Sequence, residues 1–197
     1  MLLMVSIDML SSAEMILRAL PPIDQANAEP VLFVFSGLPG TGKSFLARKI
    51  AECVPCAIVE TDFIRKTLLR QPTYAATESA FVHRVAHQVI QRLLRSGHRV
   101  IYDATNLAEW HREHAYRLAD QTRAKLVVVR TVAPEDVMRA RLAKRFAAPQ
   151  PLDYSDADWH VVELLKAELE PIRHSHIVVD TSGDIDQAVS QILRATH

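Results

Sequence analysis

Residues 37–44 read GLPGTGKS, which sets Gly37, Gly42, Lys43 and Ser44 at the spacing G-x-x-x-x-G-K-[ST]. Glycines at these points let a loop turn its backbone N–H groups inward, towards an anion. The stretch that follows has a helical pattern, and a helix N-terminus adds partial positive charge at the same spot. Lys43 supplies an ammonium for β- and γ-phosphates, and Ser44 a hydroxyl for Mg²⁺. Gly37, Leu38, Pro39, Gly40, Thr41, Gly42, Lys43 and Ser44, with Phe45 just behind, therefore form a candidate cradle for ATP and Mg²⁺. The chain has only 5 glycines, and Gly37, Gly40 and Gly42 are among them, which a merely loose turn does not require. Phe45 departs from the usual pattern, since a small hydroxyl residue often stands there; its ring is expected to alter the grip on the nucleotide.

A phosphate loop implies a nucleotide but no particular reaction, so the nearby charged residues matter. Asp62 lies in ETDFIR at the end of a short apolar run, with Arg65 one helical turn further on. A carboxylate at the carboxyl end of a parallel strand faces the ligand crevice and can take a proton from an attacking hydroxyl. An arginine beside it can hold the acceptor, or an anionic group on it. The same two residues also read as a helix N-cap and its ion-pair partner. Asp103 ends VIYD, a Walker-B-like pattern that places a carboxylate near the metal or its waters, or simply closes a strand. Arg139, Arg141, Lys144 and Arg145 crowd one stretch, and Arg141 and Arg145 share a helical face. Phosphoryl transfer uses positive charge around the moving group, although a solvated basic face has the same composition.

These residues need a scaffold that brings strand ends together. Residues 31–36 (VLFVFS) form a continuous apolar run, as a strand buried on both faces does. Further strands are expected over 57–60, 99–102, 126–132 and 177–180. Helices are expected over 43–52, 63–69, 78–95, 108–121, 135–145 and 156–169, with a last one from Asp184, where Asp184 and Gln187 suit a cap. On this pattern Asp62 ends the second strand. Alternating strands and helices predict an α/β fold with a parallel sheet covered on both faces. Residues 1–29 read as an N-terminal helix and linker, with a capping box at Ser11 and Glu14 and a Pro-bracketed stretch PPIDQANAEP; residues 30–197 read as the P-loop domain.

Composition excludes some classes. Formal net charge is +0, against the basic face a long nucleic acid usually requires, though a local patch is compatible with a neutral total. No apolar run approaches the ~20 residues of a bilayer span, and the start lacks a basic leader, so a cytoplasmic protein without a membrane partner is expected. Cys53 and Cys56 sit at the wrong end of a helix for thiolate stabilisation and have no second pair for zinc; they read as buried structural cysteines. His83 with His87, and His111 with His114, have helical spacing but lack a third ligand, so they read as ordinary exposed or core histidines. Residues 71–81 (QPTYAATESAF) are expected over the acceptor side, with Tyr74 or Glu78 helping to choose the substrate. Trp110 and Trp159 read as packing residues.

From Pro30 onward the chain resembles the small P-loop kinases of the polynucleotide kinase and zeta-toxin type. The resemblance rests on GLPGTGKS, Asp62-x-x-Arg65, Asp103-Ala104-Thr105-Asn106 with Arg112 downstream, and Arg141-x-x-x-Arg145. It implies a five-stranded sheet of order 2-3-1-4-5 with a small helical lid. It implies Asp62 as general base, Arg65 on the acceptor side, and Arg141 and Arg145 as clamps on the donor phosphates. Thr105, Asn106 and Arg112 match a pattern around the acceptor pocket, and Asp103 serves either metal or acceptor.

The expectation is a Mg²⁺-dependent kinase that moves the γ-phosphoryl of ATP to a hydroxyl, with a small molecule favoured by the neutral charge. A polynucleotide 5′-hydroxyl and a nucleotide-sugar are the competing acceptors. A nucleotide-binding switch without an acceptor is the alternative from another class. Oligomeric state is not written in the sequence.

Overall fold

The computed structural model describes residues 9–23, 29–148 and 153–196. In chain order the elements are α1 (Met9–Ala19), β1 (Val31–Ser36), α2 (Lys43–Cys53), β2 (Ala57–Glu60), α3 (Thr61–Leu68), α4 (Ala76–Arg95) and β3 (Val100–Asp103). Then come α5 (Glu109–Thr122), β4 (Lys125–Val132), α6 (Glu135–Ala147), α7 (Trp159–Lys166), β5 (His176–Asp180) and α8 (Ile185–Arg194). The strands form one five-stranded sheet in the order β2-β3-β1-β4-β5, all neighbours parallel. This is the order that the resemblance implied.

The apolar run of β1 is buried along its whole length, because the strand is central and both faces are covered. Strand alternation divides its residues between two cores. Leu32 and Val34 join Val59, Val100 and Tyr102 under α1, α3, α4 and α5. Val31, Phe33 and Phe35 join Ile101, Val127 and Val129 under α2 and α8. A smaller cluster of Met138, Leu142 and Val162 ties α6 to α7, with Leu38 of the glycine loop packed against it. The loop is thereby held from the side of α6.

Several expectations shift. β2 ends at Glu60 and α3 begins at Thr61, so Asp62 lies in the first turn of a helix and not at the strand end. Ser11 falls inside α1, so the expected capping box at Ser11 and Glu14 does not start that helix. Ala13 and Ile16 of α1 are fully buried in the core shared with α4. Residues 24–28 of the linker lie outside the described residues. α7 is shorter than the 156–169 reading, because the Asp158 side chain accepts the Val161 N–H at 2.9 Å and fixes the helix start. At α8 the expected cap is present: Asp184 accepts the Gln187 N–H at 3.0 Å. Cys53 is exposed and Cys56 half-buried, so neither is the buried core residue the sequence suggested. Both are free, and desolvation raises the Cys56 thiol to about 12, which makes it a poor nucleophile. Among the described residues no helix is long and apolar enough to cross a membrane.

Candidate active site

The glycine loop leaves the end of β1 and delivers the chain into α2. Gly42 sits at φ 82°, in left-handed backbone space that glycine enters without penalty, and it opens the helix. A Cβ there would lie 2.9 Å from Thr181 Oγ1, and one at Gly37 only 2.5 Å from Thr131 Oγ1. The loop therefore presses against two threonines at the ends of β4 and β5, and both glycines are needed for the approach. No side chain caps α2 and no acidic residue occupies its first turn, which leaves its N-terminal N–H groups for a ligand.

Hydrogen bonds hold the loop rigid from behind. Thr41 Oγ1 lies 2.8 Å from Thr131 Oγ1 and donates to Leu38 O at 2.7 Å. Thr181 Oγ1 donates to Thr41 O at 2.8 Å. Arg141 donates to Thr181 Oγ1 and Thr181 O, each at 2.8 Å, and to Gly40 O at 3.3 Å. The structure thus places Arg141 as a brace on the loop's outer side, with its donors engaged by protein oxygens.

Thr105, Asn106 and Arg112 also buttress the loop. Gly37 N–H donates to Thr105 O at 3.0 Å, and Asn106 Nδ2 donates to Phe35 O at 2.8 Å. Arg112 is fully buried. It donates to Asn106 O at 2.7 Å, to Leu107 O, and to Pro171 O at 2.9 Å, and it pairs with Glu109 at 2.6 Å. With its donors committed to backbone oxygens, Arg112 faces no open pocket, in contrast to the acceptor-side role implied for it. It pins the segment after β3 to the chain before β5, and so steadies the bottom of the site.

Inside the loop, Lys43 Nζ donates to Leu38 O at 3.0 Å. Burial, the largest influence, pulls the Lys43 pKa below the usual lysine value, while Asp103, Asp62 and Glu60 draw it the other way. Asp103 is buried beside Lys43, and the Ser44 hydroxyl hydrogen-bonds its carboxylate. Desolvation holds the Asp103 carboxyl above its ordinary range despite Lys43. Its second oxygen, Oδ2, is buried without a hydrogen-bond partner. An unsatisfied carboxylate oxygen next to a loop serine and a lysine suits a hydrated Mg²⁺, so Ser44 and Asp103 fit the metal role expected of them.

Asp62 faces the same space. Burial raises its carboxyl above the usual aspartate range, opposed by a hydrogen bond from Ser155 and by the charges of Arg65 and Lys43. Arg65 Nε stands 3.9 Å from Asp62 Oδ1, while Arg65 Nη1 pairs with Glu78 Oε1 at close contact. The guanidinium also lies over the Tyr74 ring, 4.4 Å from its centroid. Glu78 is in turn fixed by the Thr73 N–H and hydroxyl, each at 2.7 Å. Thr73, Tyr74 and Glu78, from the stretch 71–81, pack around Arg65 and occupy it instead of leaving it free for an anion.

A strap formed by residues 153–157 closes over α3. Beyond the Ser155 contact, Asp156 takes Lys66 at 2.7 Å and the Tyr74 hydroxyl at 2.9 Å, and Tyr154 meets Phe63 edge-on at 5.1 Å. Arg145 donates to Ala157 O at 2.5 Å. Arg145 is near enough to Lys43 to depress its pKa, so it bridges the strap and the phosphate side. Phe45 is 44% exposed near the start of α2.

A profile of the AAA domain family matches residues 32–172, well over half of the chain. The chain belongs to this family of small, kinase-like P-loop proteins. An uncharacterized protein of Mycobacterium tuberculosis (strain ATCC 25618 / H37Rv) is 33% identical over 172 residues, 81% of this chain and 33% of its own length. The chain thus spans about one third of the length of the curated relatives it matches. Among solved structures, the Mycobacterium tuberculosis APS kinase CysC in complex with AMPPNP and APS superposes with a TM-score of 0.65 at 17% identity. That match covers 85% of this chain and 97% of the other. A gluconokinase from Sinorhizobium meliloti 1021 gives a TM-score of 0.58 at 21% identity, over 85% of this chain and 91% of that one. These likenesses show that the chain has the fold of these P-loop kinases.

Within this family member, the sequence reading missed three features. Glu60, the last residue of β2, pairs in register with Asp103. Burial and the charges of Asp103 and Asp62 hold its carboxyl far above the glutamate range. Its position one residue before the helix carrying Asp62 was visible, but it read as the end of an apolar strand. The strap was hidden because nothing local links residues 153–157 to α3. The two histidine pairs converge: His83 lies 4.8 Å from His111, and His87 stacks on His114 at 5.7 Å, ring centre to ring centre. His83 Nδ1 lies 2.5 Å from the Tyr102 hydroxyl. Burial and mutual repulsion lower His83 to about 3 and His87 to about 4, so both are neutral at pH 7. Among the described residues there is no group of three or more His, Cys, Asp or Glu side chains placed to hold a metal ion.

Proposed function

We propose that this chain is an ATP-dependent phosphotransferase that delivers the γ-phosphoryl group to a hydroxyl of a small molecule. The observation that carries this reading is the convergence of Lys43, Asp103 and a desolvated Asp62 at the mouth of one uncapped helix. A mere nucleotide switch gives no reason to bury a second carboxylate opposite the phosphate loop.

The loop amides of residues 37–44 and the N-terminal end of α2 would bind the β- and γ-phosphates. Lys43 would leave Leu38 O and neutralise the γ-phosphate. Ser44 and Asp103 would hold Mg²⁺, which when bound offsets charge on the β- and γ-oxygens. Asp62 would accept the proton of the acceptor hydroxyl as that oxygen bonds to the γ-phosphorus and the bridging bond to the β-phosphate breaks, leaving ADP. A raised pKa makes Asp62 a stronger base than an exposed aspartate, which suits the task. Arg145, on the strap side of Lys43, would meet the charge that builds on the moving group. Arg141 would act through the loop it braces. APS and gluconate, the compounds in the names of the two structural neighbours, are small molecules, which supports an acceptor of that size.

Transfer of label from γ-labelled ATP to a panel of hydroxyl compounds tests the reading. The expected result is an acceptor-dependent product that Asp62→Asn does not make although it still binds ATP. Labelled inorganic phosphate as the sole product, at the same rate in both proteins, would refute it.

A further inference from the structure

Given that Ser44 and Asp103 hold Mg²⁺ as read above, the sheet brings a second carboxyl to the same place. Glu60 and Asp103 are register partners in the parallel pair β2–β3, so they stand about one strand spacing (~4.8 Å) apart and their side chains leave the same face of the sheet. The cores identify that face. Ala57 and Val59 of β2, with Val100 and Tyr102 of β3, belong to the core under α1, α3, α4 and α5. Ile101 belongs to the core under α2 and α8, and Ile58 packs against it. Alternation along the strands therefore sends Glu60 and Asp103 to the α2 side. There the Ser44 hydroxyl hydrogen-bonds Asp103. The charges of Lys43 and of Arg48, one helical turn beyond Ser44, act on both carboxyls. Asp62 is the other carboxylate whose charge reaches Glu60, and it is engaged by the Ser155 hydroxyl.

Two features mark this pair of acids as a place for a ligand. Asp103 is 2% exposed, and its buried Oδ2 has no hydrogen-bond partner. Such an atom is rare in a finished fold unless an ion or water completes it. Glu60 stands at the N-cap position of α3, yet its side chain makes no bond to the helix amides, so capping does not account for it. We propose that Glu60 is a positioning residue for the metal: it accepts a hydrogen bond from a water of the Mg²⁺ shell and so orients that shell on Ser44 and Asp103. Mg²⁺ gives up its waters reluctantly and keeps several when one carboxylate and nucleotide phosphates hold it. Those waters need acceptors, and Glu60 reaches one methylene further than Asp103 from the same face. The role is the same whether or not Glu60 carries a proton, because a carboxyl keeps an acceptor oxygen in either form.

The test uses the full chain and calorimetric titration with ATP, once in a chelator and once in saturating Mg²⁺. The ratio of the two affinities reports the hold of the ATP complex on the metal. Thermal unfolding in the chelator shows that each variant is folded. In Glu60→Leu, which removes both acceptor oxygens, the ratio should fall ~10–100-fold, the usual effect of deleting a group that orients a metal's ligands, while ATP affinity in the chelator is not lost. Glu60→Gln keeps an acceptor oxygen at the same reach and should recover most of the ratio. An unchanged ratio in folded Glu60→Leu overturns the proposal. So does an equal fall in the Leu and Gln variants, and so does a matching loss of ATP affinity in the chelator, which would assign Glu60 to the shape of the loop. Asp103→Asn tests the reading on which the proposal rests. A fall in Asp103→Asn with none in Glu60→Leu defeats the proposal alone, whereas an unchanged ratio in Asp103→Asn defeats the metal site itself and the proposal with it.

Discussion

Glu60 and Asp103 stand directly opposite each other in the parallel register of β2 and β3, at the carboxyl ends of neighbouring strands. Two buried carboxyl groups so placed cannot both ionise without strong repulsion. Desolvation keeps Asp103 above its usual range, and desolvation with the Asp103 and Asp62 charges does the same for Glu60. The arrangement concentrates potential negative charge next to Lys43 and Ser44, where a divalent cation would relieve it.

Replacing the Glu60 carboxyl with an amide should stabilise the protein when no ligand is bound, because a carboxyl held so far above the glutamate range must take up a proton on folding at neutral pH and an amide need not. Glu60→Gln is expected to raise Tm by about 2–4 °C for each kcal/mol of that cost. The measurement is thermal unfolding in a chelator at neutral pH. Asp103→Asn should instead lose most of the extra stabilisation that Mg²⁺ adds to ATP in the parent protein, since it deletes the oxygen left unpartnered.

Asp62→Asn should reduce kcat by about 10²–10⁴-fold, the usual worth of a general base, with little change in ATP affinity. Steady-state kinetics with a competent acceptor, beside titration with ATP, separates the two effects.

The Ser155 hydroxyl hydrogen-bonds the charged form of Asp62 and so lowers its pKa. Ser155→Ala should move the acid limb of the kcat/KM profile to higher pH, because the base then holds its proton more tightly. A pH–rate profile reads this shift directly. Asp156→Ala should loosen the strap by freeing Lys66 and Tyr74, and should raise KM for the acceptor more than for ATP.

The histidine cluster predicts acid sensitivity. His83 and His87 have folded pKa values of about 3 and about 4, below the ordinary value of 6.5. The unfolded chain therefore binds more protons than the folded one between these values and pH ~6.5, and stability rises with pH across that window. Stability should be full above pH ~6.5 and fall as the pH drops towards 4, by up to ~1.4 kcal/mol per pH unit for each histidine. Denaturant unfolding at several pH values checks this, and His87→Gln should flatten the slope.

The phosphate loop was legible because its chemistry is local: eight consecutive residues carry glycines, lysine and hydroxyl together, and the strand before and helix after follow from hydrophobic period. The sheet order followed from resemblance and was borne out. Features built by contacts distant in sequence were not legible. Arg112 read as a substrate residue because its partners, Asn106 O and Pro171 O, appear only when the segments fold together. Arg65 read as a free cation because Glu78, 13 residues on, is brought to it by the turn at Tyr74. The two histidine pairs looked independent until α4 and α5 packed side by side.

The central claim is that the loop of residues 37–44 grips a nucleoside triphosphate, and calorimetric titration of the full chain with ATP and Mg²⁺ tests it most directly. Saturable binding, with Kd on the order of 1 mM or tighter and weakened at least ~100-fold in Lys43→Ala, is the predicted result. No saturable heat with ATP or GTP, or equal affinity in a folded Lys43→Ala protein, would contradict it.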